Sequence, residues 1–146
     1  MADPALVHCV SALCEASPRA AFAYLSDDSR LGEWALGCWE ARPAGNGIVR
    51  GTSLFDGAAS FVRVVPVDDA LTVDYEVGAD PERLVRRISA RVVPGDDLEG
   101  DTARSLVMLL AWRTASMDDE RWRRLGATHE AEILLLRGRI ERSAAA

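Results

Sequence analysis

Apolar and polar positions change their period twice along the chain. Residues 6–15 are apolar almost throughout and rich in β-forming side chains, which predicts a strand covered on much of both faces. Residues 38–114 form strand-like runs separated by turn sequences, with room for six strands. Residues 117–143 return to a period near 3.6, which predicts one long helix. The middle strands should form an antiparallel meander, because their connections are short.

Two short helices are predicted between the first strand and the second. Ser17 can cap the first helix, and Pro18 follows at a position where its missing N–H group does no harm. A second helix is expected over residues 29–35, with Ser29 as its cap and Trp34 turned inward. The chain therefore reads as strand, two short helices, six strands and a long helix.

Two segments show their buried faces clearly. Residues 71–77 alternate, so that one face of a strand carries Leu71, Val73, Tyr75 and Val77. The long helix should begin near Ser116, with Asp119 completing a cap, and it places one stripe toward the sheet: Trp122, Leu125, His129, Ile133, Leu136 and Ile140. Such a helix extends about 40 Å at 1.5 Å per residue, so the sheet must curl along it.

The segment CEASPRAAFAYLSDDSRLGEW, residues 14–34, resembles the opening of the bacterial polyketide cyclase/dehydrase-like branch of the SRPBCC, START and Bet v 1-like superfamily. Together with the order of elements, this resemblance covers nearly the whole chain. It implies an α+β helix-grip fold, in which a seven-stranded curved antiparallel sheet surrounds a long C-terminal helix. It also implies a cavity between the sheet and that helix, which relatives use for lipids, hormones, aromatic polyketides or quinones. Most of these relatives bind or carry a ligand, and only some are enzymes.

Length and charge exclude several classes of protein. The 146 residues fit one domain, spanning residues 1–146, and the net charge of −6 should repel nucleic acid. All 17 basic residues are arginines, so the chain cannot form a Schiff base through a side-chain amine. We find no apolar run long enough for a membrane span and no signal-peptide pattern, and we expect a cytoplasmic protein.

No metal or cofactor is expected. Cys9, Cys14 and Cys38 lack the spacing of metal ligands and are predicted to be free thiols, with the first two on opposite faces of a strand. The adjacent aspartate pairs fall in turns or at a helix start, where aspartate caps backbone N–H groups.

Two histidines are candidates for chemistry. His129 lies in the middle of the apolar helix stripe, where burial would keep its imidazole neutral and able to exchange a proton or orient a ligand. His8 shares the inward face of the first strand with Val10, Ala12 and Cys14. The alternative for His129 is a core histidine with satisfied hydrogen bonds, and for His8 a strand-end residue that meets solvent.

Three further polar residues could meet a ligand. Tyr75 lies on the buried face of its strand, and its hydroxyl needs a partner, which could be a ligand, His129 or the backbone. Arg63 alternates in phase with Phe61, and Arg86 with Ile88, so either guanidinium could enter the cavity. Exposure to solvent is the alternative for both arginines.

Large apolar side chains could form the cavity wall. The candidates are Trp34, Trp39, Phe61, Met108, Trp112, Trp122, Leu125 and Ile133, which core packing would explain equally well. Residues 103–114 are apolar on both faces of a predicted strand, and the outer face could be a homodimer contact.

Three functions remain open from the sequence. The first is binding of a hydrophobic small molecule such as a lipid, polyketide, quinone or aromatic metabolite. The second is a cyclase or dehydrase with His129 as general base and Tyr75 or Arg63 stabilising an enolate. The third is an Hsp90-activator-like interaction module that uses a surface and not a pocket, and a collapsed cavity would favour it. Gly126 and Gly138 are possible weak points of the long helix.

Overall fold

Seven strands form one antiparallel sheet in the computed structural model, which describes residues 4–146. The strands are β1 (Val7–Cys14), β2 (Trp39–Gly45), β3 (Ile48–Thr52), β4 (Ala59–Val67), β5 (Thr72–Gly78), β6 (Val85–Pro94) and β7 (Ser105–Trp112). Their order across the sheet is β1-β7-β6-β5-β4-β3-β2. The six strands predicted after residue 38 are confirmed as a meander, and β1 joins it beside β7.

Helical segments connect β1 to β2 and end the chain. They are the helix α1 (Pro18–Ser26), two 3-10 helices (Asp28–Glu33 and Leu36–Cys38) and the long helix α2 (Asp119–Ala145). Further 3-10 helices occur at Pro4–Leu6, Asp68–Ala70 and Gly95–Leu98. This is the predicted helix-grip arrangement, with a 3-10 helix where the second short helix was expected.

One of the three predicted caps is correct. Ser17 Oγ accepts a hydrogen bond from the Ala20 N–H group at 3.2 Å and caps α1, as expected. The second segment is capped by Asp27 and not by Ser29, whose N–H and hydroxyl groups both donate to the Asp27 carboxylate.

The cap of α2 was also misplaced. Asp118 accepts from the Arg121 N–H group at 2.8 Å, so α2 begins later than Ser116. A carboxylate is a strong acceptor at a helix start, and it is also favoured by the helix dipole.

The core lies between the concave face of the sheet and the helices. The stripe of α2 that carries His129, Ile133, Leu136 and Ile140 is buried, as its spacing predicted. α2 packs against α1, β1 and β7. Within residues 4–146, no helix has both the length and the apolar character needed to cross a membrane.

Candidate functional site

A cavity of about 420 Å³ lies between the sheet and the N-terminal half of α2. Its floor is formed by the concave face of β4, β5 and β6, and its sides by the segment after α1 and the β3–β4 loop. The residues that line it are Leu31, Trp34, Ala35, Gly37, Cys38, Ser53, Phe55, Asp56, Ala58, Ala59, Ser60, Val62, Tyr75, Val77, Gly78, Ala79, Arg87, Ile88, Arg121, Arg124, Leu125, Thr128, His129 and Glu132. This volume lies within the range of roughly 300–1,000 Å³ that is typical of small-molecule sites.

Exposed side chains mark the opening of the cavity, which we call the mouth and define by Phe55, Asp56 and Arg124. The Arg124 guanidinium carbon lies 5.5 Å from the centre of the Phe55 ring, a cation–π contact between α2 and the β3–β4 loop. The mouth is therefore bridged by two side chains from separate elements.

A histidine and a glutamate share the α2 wall of the cavity. His129 and Glu132 are three residues apart and only 4% and 5% exposed, and His129 Nε2 lies 3.7 Å from Glu132 Oε1. The Leu36 N–H group donates to Glu132 Oε2 at 2.8 Å, so one carboxyl oxygen is fixed. His129 Nδ1 is buried and has no partner among residues 4–146.

Burial shifts both groups toward their neutral forms. The pKa of Glu132 is raised to about 8, mainly by burial and against the opposing effect of the Leu36 hydrogen bond. The pKa of His129 is lowered to about 4, first by burial and then by the nearby charges of His8 and Arg87. At pH 7 the pair therefore consists of a neutral imidazole beside a largely protonated carboxyl group.

His8 lies on the concave face of β1, as its alternation predicted, but it does not line the cavity. It packs against Gly126 of α2, where an added Cβ atom would lie 3.3 Å from His8 Cε1. Glycine at this position lets the imidazole approach the helix backbone. His8 Nε2 is buried without a partner in the described part of the chain.

A β-bulge turns Arg87 into the cavity. Tyr75 pairs with Ile88 and the next residue, Glu76, pairs with Arg86, so Arg87 has no partner in β5. Both Arg87 and Ile88 line the cavity as a result. The prediction that Arg86 enters the cavity is therefore wrong, because the alternation on which it depended is interrupted at the bulge.

Tyr75 contributes its ring and not its hydroxyl to the cavity. The hydroxyl donates to the Leu25 carbonyl oxygen at 3.0 Å, so its partner is the backbone. The Tyr75 and Trp34 rings form an edge-to-face pair with centres 5.8 Å apart. These two rings make a rigid aromatic wall.

Several predicted lining residues lie elsewhere. Phe61, Arg63 and Arg86 alternate with the inward residues of β4 and β6 and lie on the convex face of the sheet. Arg63 donates to Glu76 Oε1 at 2.9 Å, and Arg86 lies 3.4 Å from the same carboxylate. These ion pairs explain the outward arginines, and the hydrogen bond from Arg63 holds the pKa of Glu76 below its ordinary value.

Met108 and Trp112 were assigned to the wrong face of β7. Cross-strand partners share a face, and Ala12 of β1 is paired with Val107, so the inward residues of β7 are Ser105, Val107, Leu109 and Ala111. Met108 and Trp112 are half-buried on the convex face.

Trp39, Trp122 and Ile133 also lie outside the cavity wall. The first two are half-buried, and Ile133 belongs to the core. Of the residues predicted to line the cavity, the structure brings Trp34, Tyr75, Leu125 and His129 together around it.

Five charged lining residues were not predicted: Asp56, Arg87, Arg121, Arg124 and Glu132. Glu132 could have been found, since it lies three positions after His129 and therefore on the same helix face. Nothing in the local sequence marks the bulge that turns Arg87 inward.

Comparison with solved structures supports the fold. No family model and no curated protein sequence matches the chain. A START superfamily protein from Mycobacterium smegmatis superposes with a TM-score of 0.67 at 12% identity, covering 94% of this chain and 98% of that one. The aromatase/cyclase ZhuI from Streptomyces sp. R1128 gives 0.63 at 15% identity, covering 93% of each chain.

A third structure, the Aha1 dimer from Colwellia psychrerythraea, superposes with a TM-score of 0.65 at 17% identity, covering 94% of this chain and 98% of that one. The predicted resemblance to START proteins, polyketide cyclases and Hsp90-activator-like proteins is therefore confirmed at the level of the fold. At these identities the likeness does not extend to a particular ligand or reaction.

Proposed function

We propose that this protein binds a hydrophobic small molecule in the cavity between its sheet and α2. The observation that carries the proposal is the cavity itself, about 420 Å³ and walled by the Trp34–Tyr75 aromatic pair and by aliphatic side chains such as Val62, Val77 and Leu125. Apolar walls with a few convergent polar groups are characteristic of ligand sites. The structural neighbours include a START superfamily protein and an aromatase/cyclase, which agrees with a site of this kind.

A pair of tryptophan substitutions on α2 tests the position of the ligand. Thr128 lines the cavity, whereas its neighbour Ala127 is exposed, so Thr128→Trp should fill the cavity and Ala127→Trp should not. The neutral fluorescent probe N-phenyl-1-naphthylamine should bind the wild type at one saturable site. We expect Thr128→Trp to weaken that binding by about 10-fold or more, the effect of losing roughly 1.4 kcal/mol, and Ala127→Trp to leave it unchanged. Equal binding by Thr128→Trp and the wild type would place the probe outside the cavity.

An enzyme is the second candidate, and it is favoured by the His129–Glu132 pair. His129 Nε2 and Glu132 Oε1 lie 3.7 Å apart, and the pKa of the histidine is lowered while that of the glutamate is raised. Neighbouring groups whose pKa values are shifted in opposite directions inside a cavity are typical of acid–base sites. With its pKa near 4, His129 is a weak general base, whereas protonated Glu132 could act as the acid. Compounds extracted from gently purified wild type and His129→Ala separate the two candidates, because the enzyme variant should retain unconverted substrate, whereas a carrier should hold the same compound in both.

The surface-only interaction module is not favoured, since the cavity is neither small nor collapsed. We also propose that two copies of the chain associate through the apolar convex face of β7, as the sequence indicated, together with the neighbouring convex face of β1. The Aha1 neighbour, which was solved as a dimer, agrees with this. The cytoplasmic location and the single domain stay predictions.

A further inference from the structure

The arginine in the bulge is unusual because part of its guanidinium is enclosed without a counter-charge. Arg87 is half-buried, and its Nε atom is enclosed and has no hydrogen-bond partner among residues 4–146. Guanidinium groups inside proteins are normally paired, because removing a charge from water is costly unless the charge is compensated. Because Arg87 lines the cavity, a ligand bound there could supply the acceptor that the described residues do not.

Two more arginines surround the same space. Arg121 and Arg124 line the cavity from α2, and in the described part of the chain neither they nor Arg87 form an ion pair with a carboxylate. By contrast, Arg63 and Arg86 on the convex face are paired with Glu76. The chain as a whole has a net charge of −6, so these three arginines give the cavity a locally positive lining in an acidic protein.

The acidic residues of the cavity do not cancel this charge. Glu132 has a pKa raised to about 8 by burial and is largely neutral at pH 7. Asp56 is exposed at the mouth, where water screens its single formal charge, and that charge balances at most one of the three arginines. Burial lowers the pKa of Arg87 to about 10, with a smaller contribution from the charge of Arg121, so Arg87 remains a cation.

We propose that the ligand is an amphiphile with one carboxylate, whose apolar body occupies the aromatic and aliphatic wall and whose carboxylate is bound by Arg87. A guanidinium presents its N–H groups in a planar fork that matches a carboxylate, and a charge-assisted pair of this kind is strong in an apolar site. Arg121 and Arg124 line the same cavity from α2, and their charges favour entry of an anion. The inference rests on the proposed function, because it names the class of molecule that the cavity takes.

The chain supplies a matched control for this idea. Arg86 and Arg87 are adjacent in β6, carry the same charge and differ in the face to which they point. A matched pair of ligands, 6-phenylhexanoate and 6-phenylhexan-1-ol, differs only in the head group. Both can be measured by displacement of N-phenyl-1-naphthylamine from the wild type, Arg87→Met, Arg87→Lys and Arg86→Met.

We expect the acid to displace the probe from the wild type at a concentration about 10-fold or more below that of the alcohol. Arg87→Met should raise the inhibition constant of the acid about 10- to 100-fold, the range of a lost hydrogen bond to a charged group, and should leave the alcohol and the probe within about twofold. The inhibition constant of the acid for Arg87→Lys should lie between those for the wild type and Arg87→Met, because lysine keeps the charge but lacks the planar fork of N–H groups. Arg86→Met should resemble the wild type.

Thermal unfolding without ligand supplies a second readout. Because Arg87 is a half-buried cation without an ion-pair partner, Arg87→Met should unfold at the same temperature as the wild type or higher. A lower temperature, with acid and alcohol weakened equally, would show that Arg87 only supports the wall and would overturn the inference. Equal binding of acid and alcohol by the wild type, or equal effects of Arg86→Met and Arg87→Met, would overturn it as well. If the probe and both ligands fail to bind at all, the proposed function falls, and the inference falls with it.

Discussion

Glu132 shows how one buried residue can shape the pH dependence of the whole protein. In the unfolded chain its carboxyl group ionises near its ordinary pKa of 4.5, whereas in the folded protein it keeps its proton up to about pH 8. The folded state therefore binds more protons between these values, and the free energy of unfolding contributed by Glu132 falls as the pH rises through them. His129, with a folded pKa of about 4 against an ordinary 6.5, gives the opposite slope between those two values.

The two contributions oppose each other below pH 6.5, so the effect of Glu132 should appear alone between about pH 6.5 and pH 8. We expect the wild type to lose on the order of 1 to 2 kcal/mol of unfolding free energy across that interval, from about 1.4 kcal/mol per pH unit. Glu132→Gln should remove this loss while keeping an acceptor for the Leu36 N–H group. Urea denaturation at both pH values measures it.

Glu130→Gln is the matched control for this experiment, because Glu130 lies on the exposed face of the same helix. It should keep the pH dependence of the wild type. A flat profile in the wild type would show that the Glu132 carboxyl is not held in its protonated form.

At the residue scale, the sequence placed the cavity residues of the helical segments better than those of the strands. Trp34, Leu125 and His129 could be placed because helical spacing and short connections determine which way they face. The Tyr75 hydroxyl could not be assigned, since its partner is the Leu25 carbonyl oxygen of a distant segment. Hydrogen bonds between segments far apart in the chain leave no local signal in the sequence.

At the scale of the element, α2 contains two glycines with different environments. An added Cβ atom at Gly138 would meet nothing within 4 Å, whereas one at Gly126 would press on the His8 ring at 3.3 Å. Glycine lowers helix stability by about 1 kcal/mol relative to alanine. The two positions looked alike in the sequence as weak points of the helix. In the structure, a larger side chain is restricted by His8 at Gly126, whereas nothing restricts it at Gly138.

Alanine substitutions should separate the two positions. We expect Gly138→Ala to raise the free energy of unfolding by about 0.5 to 1 kcal/mol, because the helix gains stability without any new clash. Gly126→Ala should gain less or lose stability, since the His8 imidazole must shift by a few tenths of an ångström. Urea unfolding of both variants provides the comparison, and equal gains would contradict the packing role of Gly126.

The strands β6 and β7 show why element faces were harder to predict than element types. β7 is apolar on both sides, so the alternation of its residues does not show which side faces the core. Only the pairing of Ala12 with Val107 identifies the inward side. In β6 the alternation is clear but is interrupted by the bulge at Arg87. Local composition is enough to predict that a segment forms a strand, whereas the side of the sheet to which its residues point depends on the strands with which it pairs.

At the scale of the whole molecule, the architecture followed from the change of hydrophobic period along the chain. Six strand-like runs joined by short connections predict an antiparallel meander. A helix as long as α2 needs a curved sheet to cover it. The cavity itself could be inferred only through the resemblance to the helix-grip fold, because no single segment encodes an empty volume.

The association of two copies is a prediction about the molecule as a whole. β1 is an edge of the sheet, and its convex side exposes Val7 and Leu13, at 53% and 45%, beside the apolar convex side of β7. Sedimentation velocity should show a dimer for the wild type and a monomer for Leu13→Glu. A wild-type monomer at all accessible concentrations would contradict the prediction.

The bulge in β6 also has a meaning in genetic terms. Because Arg87 has no partner in β5, the pairs Tyr75–Ile88, Glu76–Arg86 and Val77–Val85 can all be drawn without it. Deleting one codon would leave a regular ladder with the same partners and would remove one guanidinium from the cavity. Insertion or deletion of this one residue would therefore change the charge of the cavity without changing the strand pairing of the fold.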